Sequence, residues 1–164
     1  MTEAVTLDRD RLGKLVYLHA AISETLRLYP PASLQHKQVT TTGTLPSGEK
    51  VKPGDVVIVY FFSMARMEEL WGKDCREFKP ERWITDRGEI KNEPAYKFFS
   101  FGSGPSMCLG RELAFTKLKT VISALLRSFR FEAVEGQVVK PKLSVISCMK
   151  NGLMVQVSKR ERSW

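Results

Sequence analysis

Residues 101–110 read FGSGPSMCLG, from Phe101 to Gly110, and lead directly into an amphipathic stretch. Leu113, Ala114, Leu118, Val121, Ile122, Leu125 and Phe129 recur at helical spacing, which predicts a helix over 111–129 with that face buried. Cys108 therefore falls where a glycine-rich loop becomes a helix N-terminus. Unpaired backbone N–H groups and the positive end of the helix dipole favour a thiolate there. Such a sulfur serves as a nucleophile, a redox group or a metal ligand. Phosphate binding fails on the loop's own residues. A dinucleotide fingerprint needs glycine where Met107 stands, and no Gly-Lys-Ser/Thr follows. A cysteine hydrolase needs a histidine base, and only His19 and His36 exist, neither in a catalytic context. A lone cysteine at a helix start is more often structural than functional.

Upstream, Leu15, Leu18, Ile22 and Leu26, widened by Val16 and Tyr29, predict a helix over 11–28. Asp8 or Asp10 would cap its start, and Pro30 and Pro31 end it. Pro46-Ser47-Gly48 and Lys52-Pro53-Gly54-Asp55 are turns. Val56 to Phe62 reads as a buried strand, followed by a short helix over 63–70. Residues 71–97 have little regular pattern, and long irregular segments in compact domains are often functional. Strands are expected over 130–134, 143–149 and 153–158, the last two joined by an Asn151-Gly152 hairpin turn.

The 164 residues suffice for one domain with a core, and a hydrophobic content of 43% with 27% charged residues indicates a globular chain. No apolar run reaches the length of a membrane span, and the N-terminus lacks a signal peptide's apolar stretch. The net charge of +8 is scattered among acids and carries no nucleic-acid motif, so no nucleic-acid partner is expected. Cys75 and Cys148 are expected to fill space as small apolar side chains.

Two further motifs are ordinary alone. Glu24 and Arg27 share a helix face, and such a pair on a surface contributes a few tenths of a kcal/mol. Pro80-Glu81-Arg82-Trp83 reads as a plain turn. In order they read Glu-x-x-Arg on a helix ending in Tyr-Pro-Pro, then Phe-x-Pro-Glu-Arg-Trp, then Phe-x-x-Gly-x-x-x-Cys-x-Gly. Together they resemble the C-terminal part of a cytochrome P-450. The resemblance runs from about Leu12 to Ser158. ETLRLYPP, LPSGEKV, RMEELWGKD and MKNGLMVQV are similar to the plant branch that oxidises fatty acids and alkanes.

The resemblance implies a mainly helical α+β fold and a single partial domain over 1–164, the C-terminal haem-binding third of that family. It implies haem b as cofactor, with Cys108 as the catalytic thiolate ligand of its iron. The electron-rich sulfur then favours O–O cleavage, and backbone N–H groups after Cys108 tune it. Gly102, Gly104 and Gly110 would let the loop turn sharply beside the porphyrin, and Phe101 would pack against it. Glu24, Arg27 and Arg82 would form a buried charge cluster. Family members usually carry arginine at the position of Ser106, facing a haem propionate. Serine offers no charge there, so Ser106→Arg is expected to strengthen haem retention. Lys37 matches a second propionate contact. Ala32, Ser33 and Leu34 would face substrate, as would 145–147. Lys97, Arg111, Lys117 and Lys119 would present a basic face to NADPH-cytochrome P-450 reductase.

A whole family member is much longer. The N-terminal anchor and the distal helix that delivers protons have no counterpart here. Contact with the endoplasmic reticulum membrane, on its cytosolic face, would belong to the missing part. This chain would be soluble or aggregated in the cytosol, with an apolar face exposed. The expected function is oxygen insertion into an apolar small molecule, a fatty acid or alkane, as a member of a monooxygenase family. The alternative is a truncated, non-catalytic remnant with weak or no haem binding. The chain alone is expected not to turn over substrate.

Overall fold

The first helical stretch is broken at Lys14 and Leu15 into α1 (Arg9–Gly13) and α2 (Val16–Leu28). Gly13 is a poor helix former, and the Leu15 N–H folds back onto the Leu12 carbonyl. The computed structural model describes residues 9–142, 144 and 146–160. Asp10 lies within α1 and Asp8 outside the described residues, while α2 starts at Leu15 without a side-chain cap. Helix α2 ends at Tyr29, ahead of the two prolines.

Strand β1 (Leu34–Gln38) pairs antiparallel with the later Val56–Tyr60 strand, Leu34 opposite Tyr60 and Gln38 opposite Val56. Between them, β2 (Gly43–Thr44) and β3 (Lys50–Val51) form a small hairpin around the Pro46-Ser47-Gly48 turn. The Val56–Tyr60 strand, β4, is not buried as its composition suggests: Val56, Ile58 and Tyr60 are exposed along one face, while Val57 and Val59 are half-buried. A two-stranded sheet covers only one of its faces. Phe61 leaves the strand and opens α3 (Phe61–Met64), and α4 (Glu68–Trp71) follows after a turn, so the expected single helix over 63–70 is two.

The irregular stretch contains a 3-10 turn over Pro80–Trp83 and an isolated bridge between Ile84 and Ile90. Its side chains build the core. Ala20 of α2 meets Trp71, Cys75 and Trp83, with Leu70, Ile84 and Phe98 around them. Helix α5 (Arg111–Ser128) follows the Cys108 loop. β5 (Phe129–Ala133) pairs with the last strand, β8 (Val155–Lys159); β6 (Pro141–Lys142) pairs with β7 (Cys148–Met149). Asn151-Gly152 turns the chain, but its flanking strands pair with other partners. The expected hairpin across it is absent because Phe129 to Ala133 takes the last strand. Cys148 is exposed on β7 rather than filling space, whereas Cys75 is buried.

The buried face of α5 also differs from its period. Phe115 and Lys119 are buried, while Leu113, Leu118, Val121 and Leu125 are exposed. Helices α1 and α2 touch α5 on the Phe115 side, and no element among the described residues covers the apolar stripe. Every residue of β5 and β8 is likewise exposed.

Candidate functional site

Two structures flank the Cys108 loop: a buried charge cluster behind it and a strand lysine beside it. The cluster begins with Glu24, which is fully buried on α2. Its carboxylate accepts Arg27 Nε at 2.7 Å, Arg27 Nη2 at 2.8 Å and Trp83 Nε1 at 2.8 Å. The Lys79 backbone N–H and Arg82 Nε each donate to it at 2.9 Å. Burial alone would raise this carboxyl's pKa, but the donors from Arg27, Lys79, Trp83 and Arg82 hold it below its ordinary value. Arg27 is 2% exposed. Its remaining donors go to the carbonyls of Ala65, Cys75 (2.7 Å) and Glu77 (3.2 Å). All five guanidinium N–H groups are thus used. Arg82 adds Asp74, through its carboxylate at 3.3 Å and its carbonyl at 3.0 Å. The cluster therefore fastens α2 to the loop after α4 and to the Pro80–Trp83 turn.

A row of rings connects this cluster to the loop. Trp71 meets Trp83 at 5.5 Å, Trp83 meets Phe98 at 4.7 Å, and Phe98 meets Phe101 at 6.3 Å. Phe101 then meets Phe115 of α5 at 5.6 Å. Ser100 Oγ donates to the Leu26 carbonyl at 2.8 Å, a second tie from α2 to the loop.

The loop closes on itself: the Cys108 N–H donates to the Phe101 carbonyl at 2.8 Å. Gly102 and Gly104 have φ of +71° and +64°, a region that L side chains avoid. A Cβ on Gly102 would also sit 3.4 Å from the Ser106 carbonyl oxygen. Gly110 has φ −83°, so the turn does not demand glycine there, and a Cβ would lie 3.7 Å from Cys108 Sγ. The Cys108 side chain is exposed, and Leu109 beside it is fully so. Among the described residues no backbone N–H bonds to Sγ. Cys108 stands two residues ahead of Gly110, which caps α5, and so lies outside the first turn where free N–H groups gather.

The chain's Cytochrome P450 family match covers residues 3–157. This chain belongs to the cytochrome P450 family. It is 48% identical over 153 residues to noroxomaritidine synthase 2 of Narcissus aff. pseudonarcissus MK-2014, across 93% of this chain and 30% of that protein. It is 45% identical over 153 residues to alkane hydroxylase MAH1 of Arabidopsis thaliana, across 93% and 31%. A crystal structure of a cytochrome P450 (CYP102L1) superposes with a TM-score of 0.79 at 29% identity, over 92% of this chain and 33% of that one. The chain thus spans about a third of the length of the relatives it matches.

The mainly helical P450 architecture with small sheets agrees with the sequence reading. Haem is the cofactor the family implies. Among the described residues no group of three His, Cys, Asp or Glu is placed to hold a metal ion. A metal taken by Cys108 must therefore bring most of its ligands with it, as a porphyrin does. Beside the loop, Lys37 Nζ of β1 donates to Ser106 Oγ at 2.7 Å. A cation and a hydroxyl together suit an anionic group such as a carboxylate. The residues present fit the group.

The expected basic P450 face is smaller than its sequence suggests. Lys119 is buried and donates to the Leu12 carbonyl at 3.1 Å, closing the end of α1. Lys97 is drawn to Glu93 at 3.1 Å and lies 4.6 Å from the Trp71 ring centre. Arg111 is half-buried over Phe101, and Lys117 is exposed. On the segment expected to face substrate, Ala32 bridges Ile146, and Ser33 Oγ lies 2.6 Å from Ser147 Oγ. Leu34 begins β1 and is exposed; Val145 lies outside the described residues. The sequence reading gave no role to Trp71, Asp74 or the Lys79 N–H. Only Trp71 carried a signal, as a large aromatic in a stretch without periodicity.

His19 stacks on Phe115 at 4.3 Å. Burial, then the charges of Lys119 and Arg111, lower its pKa from 6.5 to about 4. The folded chain thus stays neutral at His19 while the unfolded chain takes up a proton, and stability falls as pH drops from 6.5 to about 4. His19→Phe keeps a ring on Phe115 and removes that loss. Urea midpoints at pH 7 and pH 4.5 should fall further apart in the wild type than in the variant. Equal gaps would remove His19 from the acid response.

Proposed function

We propose that this chain forms the haem-ligand side of a haem-thiolate monooxygenase, with Cys108 holding the iron. The observation that carries it is the Cys108 loop: a thiol set outward on a rigid glycine turn, anchored from behind by packed rings. Gly102 and Gly104 fix the turn, Phe101 packs it onto α5, and Cys108 presents Sγ. Gly110 keeps the approach to the sulfur free of a side chain. Lys37 and Ser106 would hold a haem carboxylate. Glu24, Arg27 and Arg82 set the loop's backing without touching the cofactor. Bound haem supplies the oxygen-activating chemistry, with electrons from an NADPH-cytochrome P-450 reductase. Substrate would approach from Ala32, Ser33 and Leu34. Likeness to an alkane hydroxylase supports an apolar, aliphatic substrate, and the comparable identity to noroxomaritidine synthase 2 makes the broader reading an organic small molecule. For the whole protein the reading extends to the cytosolic face of the endoplasmic reticulum. No helix among the described residues is long and apolar enough to cross a membrane.

The test is the absorption spectrum of the reduced, haem-loaded protein under carbon monoxide. The wild type should show the red-shifted Soret band of a thiolate complex, and Cys108→Ala should lose it. A band that survives the substitution overturns the assignment. The uncovered apolar face of α5 favours a second reading, a remnant that binds haem weakly or not at all. Absence of the band from the wild type would select it.

A further inference from the structure

A small cavity lies where α2, the segment after the Ile84–Ile90 bridge and the start of α5 meet. Its polar lining is His19 and Ser23 from α2, then Lys91, Asn92 and Glu93, then Arg111 from α5. Its free centre measures about 10 Å3, room for one water-sized sphere. Four of these side chains have open polar groups. Ser23 is 2% exposed, and its hydroxyl has no partner among the described residues. Arg111 Nε is buried and also unpartnered. The His19 ring nitrogens and the Asn92 amide have no partner among the described residues either. Buried polar groups are nearly always hydrogen-bonded, so this lining calls for an occupant.

Charge decides which one. Arg111 is half-buried, and among the described residues no carboxylate pairs with its guanidinium. Lys119, buried farther along α5, bonds to the Leu12 carbonyl and not to an acid. Glu93, the acid on the lining, is held by Lys91 at 2.8 Å and Lys97 at 3.1 Å. The surplus is positive, and its field reaches His19, where Lys119 and Arg111 add to burial in lowering the pKa. A water would satisfy the open N–H and O–H groups but leave this charge uncompensated. A small anion does both. We propose that the cavity is a binding site for one monatomic anion, chloride, seated on Arg111 Nε and reached by the Ser23 hydroxyl, the Asn92 amide and a His19 N–H. Chloride is slightly wider than water, and the exposed Lys91 and Asn92 can give that much; sulfate and phosphate are too large. The ion joins α2, Asn92 and α5 three residues after Cys108, and its binding does not depend on haem.

The experiment holds the 164-residue chain at one ionic strength while sodium chloride replaces sodium gluconate, whose anion is too large to enter. Chlorine NMR line width reports bound chloride, and the urea midpoint reports the linked gain in stability. The wild type should broaden the line saturably and rise in midpoint. Arg111→Gln should weaken binding at least about tenfold, and Ser23→Ala about fivefold. Arg127→Gln removes the same charge from an exposed position near the far end of α5 and should change neither readout. In a His36→Gln background His19 is the remaining histidine, and chloride should move its titration upward by about one pH unit, because an anion favours the charged ring. Absence of saturable broadening in the wild type overturns the proposal and leaves water as the occupant. So does unchanged affinity in both Arg111→Gln and Ser23→Ala, or a loss in Arg127→Gln as large as in Arg111→Gln. If Arg111→Gln does not fold, the wild-type titration and Ser23→Ala decide.

Discussion

Arg27→Ala should destabilise the protein by about 3–5 kcal/mol, the cost of leaving one member of a buried ion pair without its partner. Removing the guanidinium strips Glu24 of two donors and leaves three backbone carbonyls, of Ala65, Cys75 and Glu77, without theirs. Arg27→Lys keeps the charge but cannot reach all five acceptors, so it should fall between the two. Urea unfolding followed by circular dichroism checks this. A loss within about 1 kcal/mol, the range of an exposed pair, would contradict the cluster's role. The same carboxylate sets an acid limit. Glu24's folded pKa is depressed, so its contribution is complete above the unfolded value and is lost as pH falls through the folded one. That part of the acid response should be missing from Glu24→Gln.

Lys37→Ala should speed haem loss by about ten- to a hundredfold. A charge-assisted bond contributes about 1.5–3 kcal/mol, and about 1.4 kcal/mol is a factor of ten. From sequence, Ser106 is the weak point, because serine stands where the family usually has arginine. The 2.7 Å contact changes that expectation, since the Lys37 ammonium already occupies the space beside Ser106. Ser106→Arg in the wild type would set two cations together and should gain little. In the Lys37→Ala background it should restore retention. Transfer of haem to a scavenging acceptor protein measures all four proteins. Unchanged loss from Lys37→Ala, or failure of Ser106→Arg to rescue it, would mean that the carboxylate is held elsewhere.

The glycine turn around Cys108, both main helices and the Glu24 motif were legible because each rests on local chemistry: turn glycines, apolar period, paired charges. What stayed hidden depended on partners distant in sequence. Nothing around Arg27 announces that carbonyls of Ala65, Cys75 and Glu77 receive it, since a backbone acceptor has no residue type. The apolar period of α5 named the stripe that wants cover. The described elements instead bury Phe115 and Lys119, because α1 and α2 approach from that side. Cys148 looked like a core residue by type, but among the described residues β7 pairs only with β6 and leaves it in the open. The Asn151-Gly152 turn was read correctly as a turn, and wrongly as a hairpin, because the strand after it finds its partner in β5.

The row of rings from Trp71 through Trp83, Phe98 and Phe101 to Phe115 also has an optical consequence. Two indoles sit at one end of it, and the thiol loop sits near the other. A chromophore seated on that loop would drain their emission by energy transfer, with no label attached. In a Trp164→Phe background, the fluorescence lifetime of the pair becomes a built-in gauge of how full the loop is.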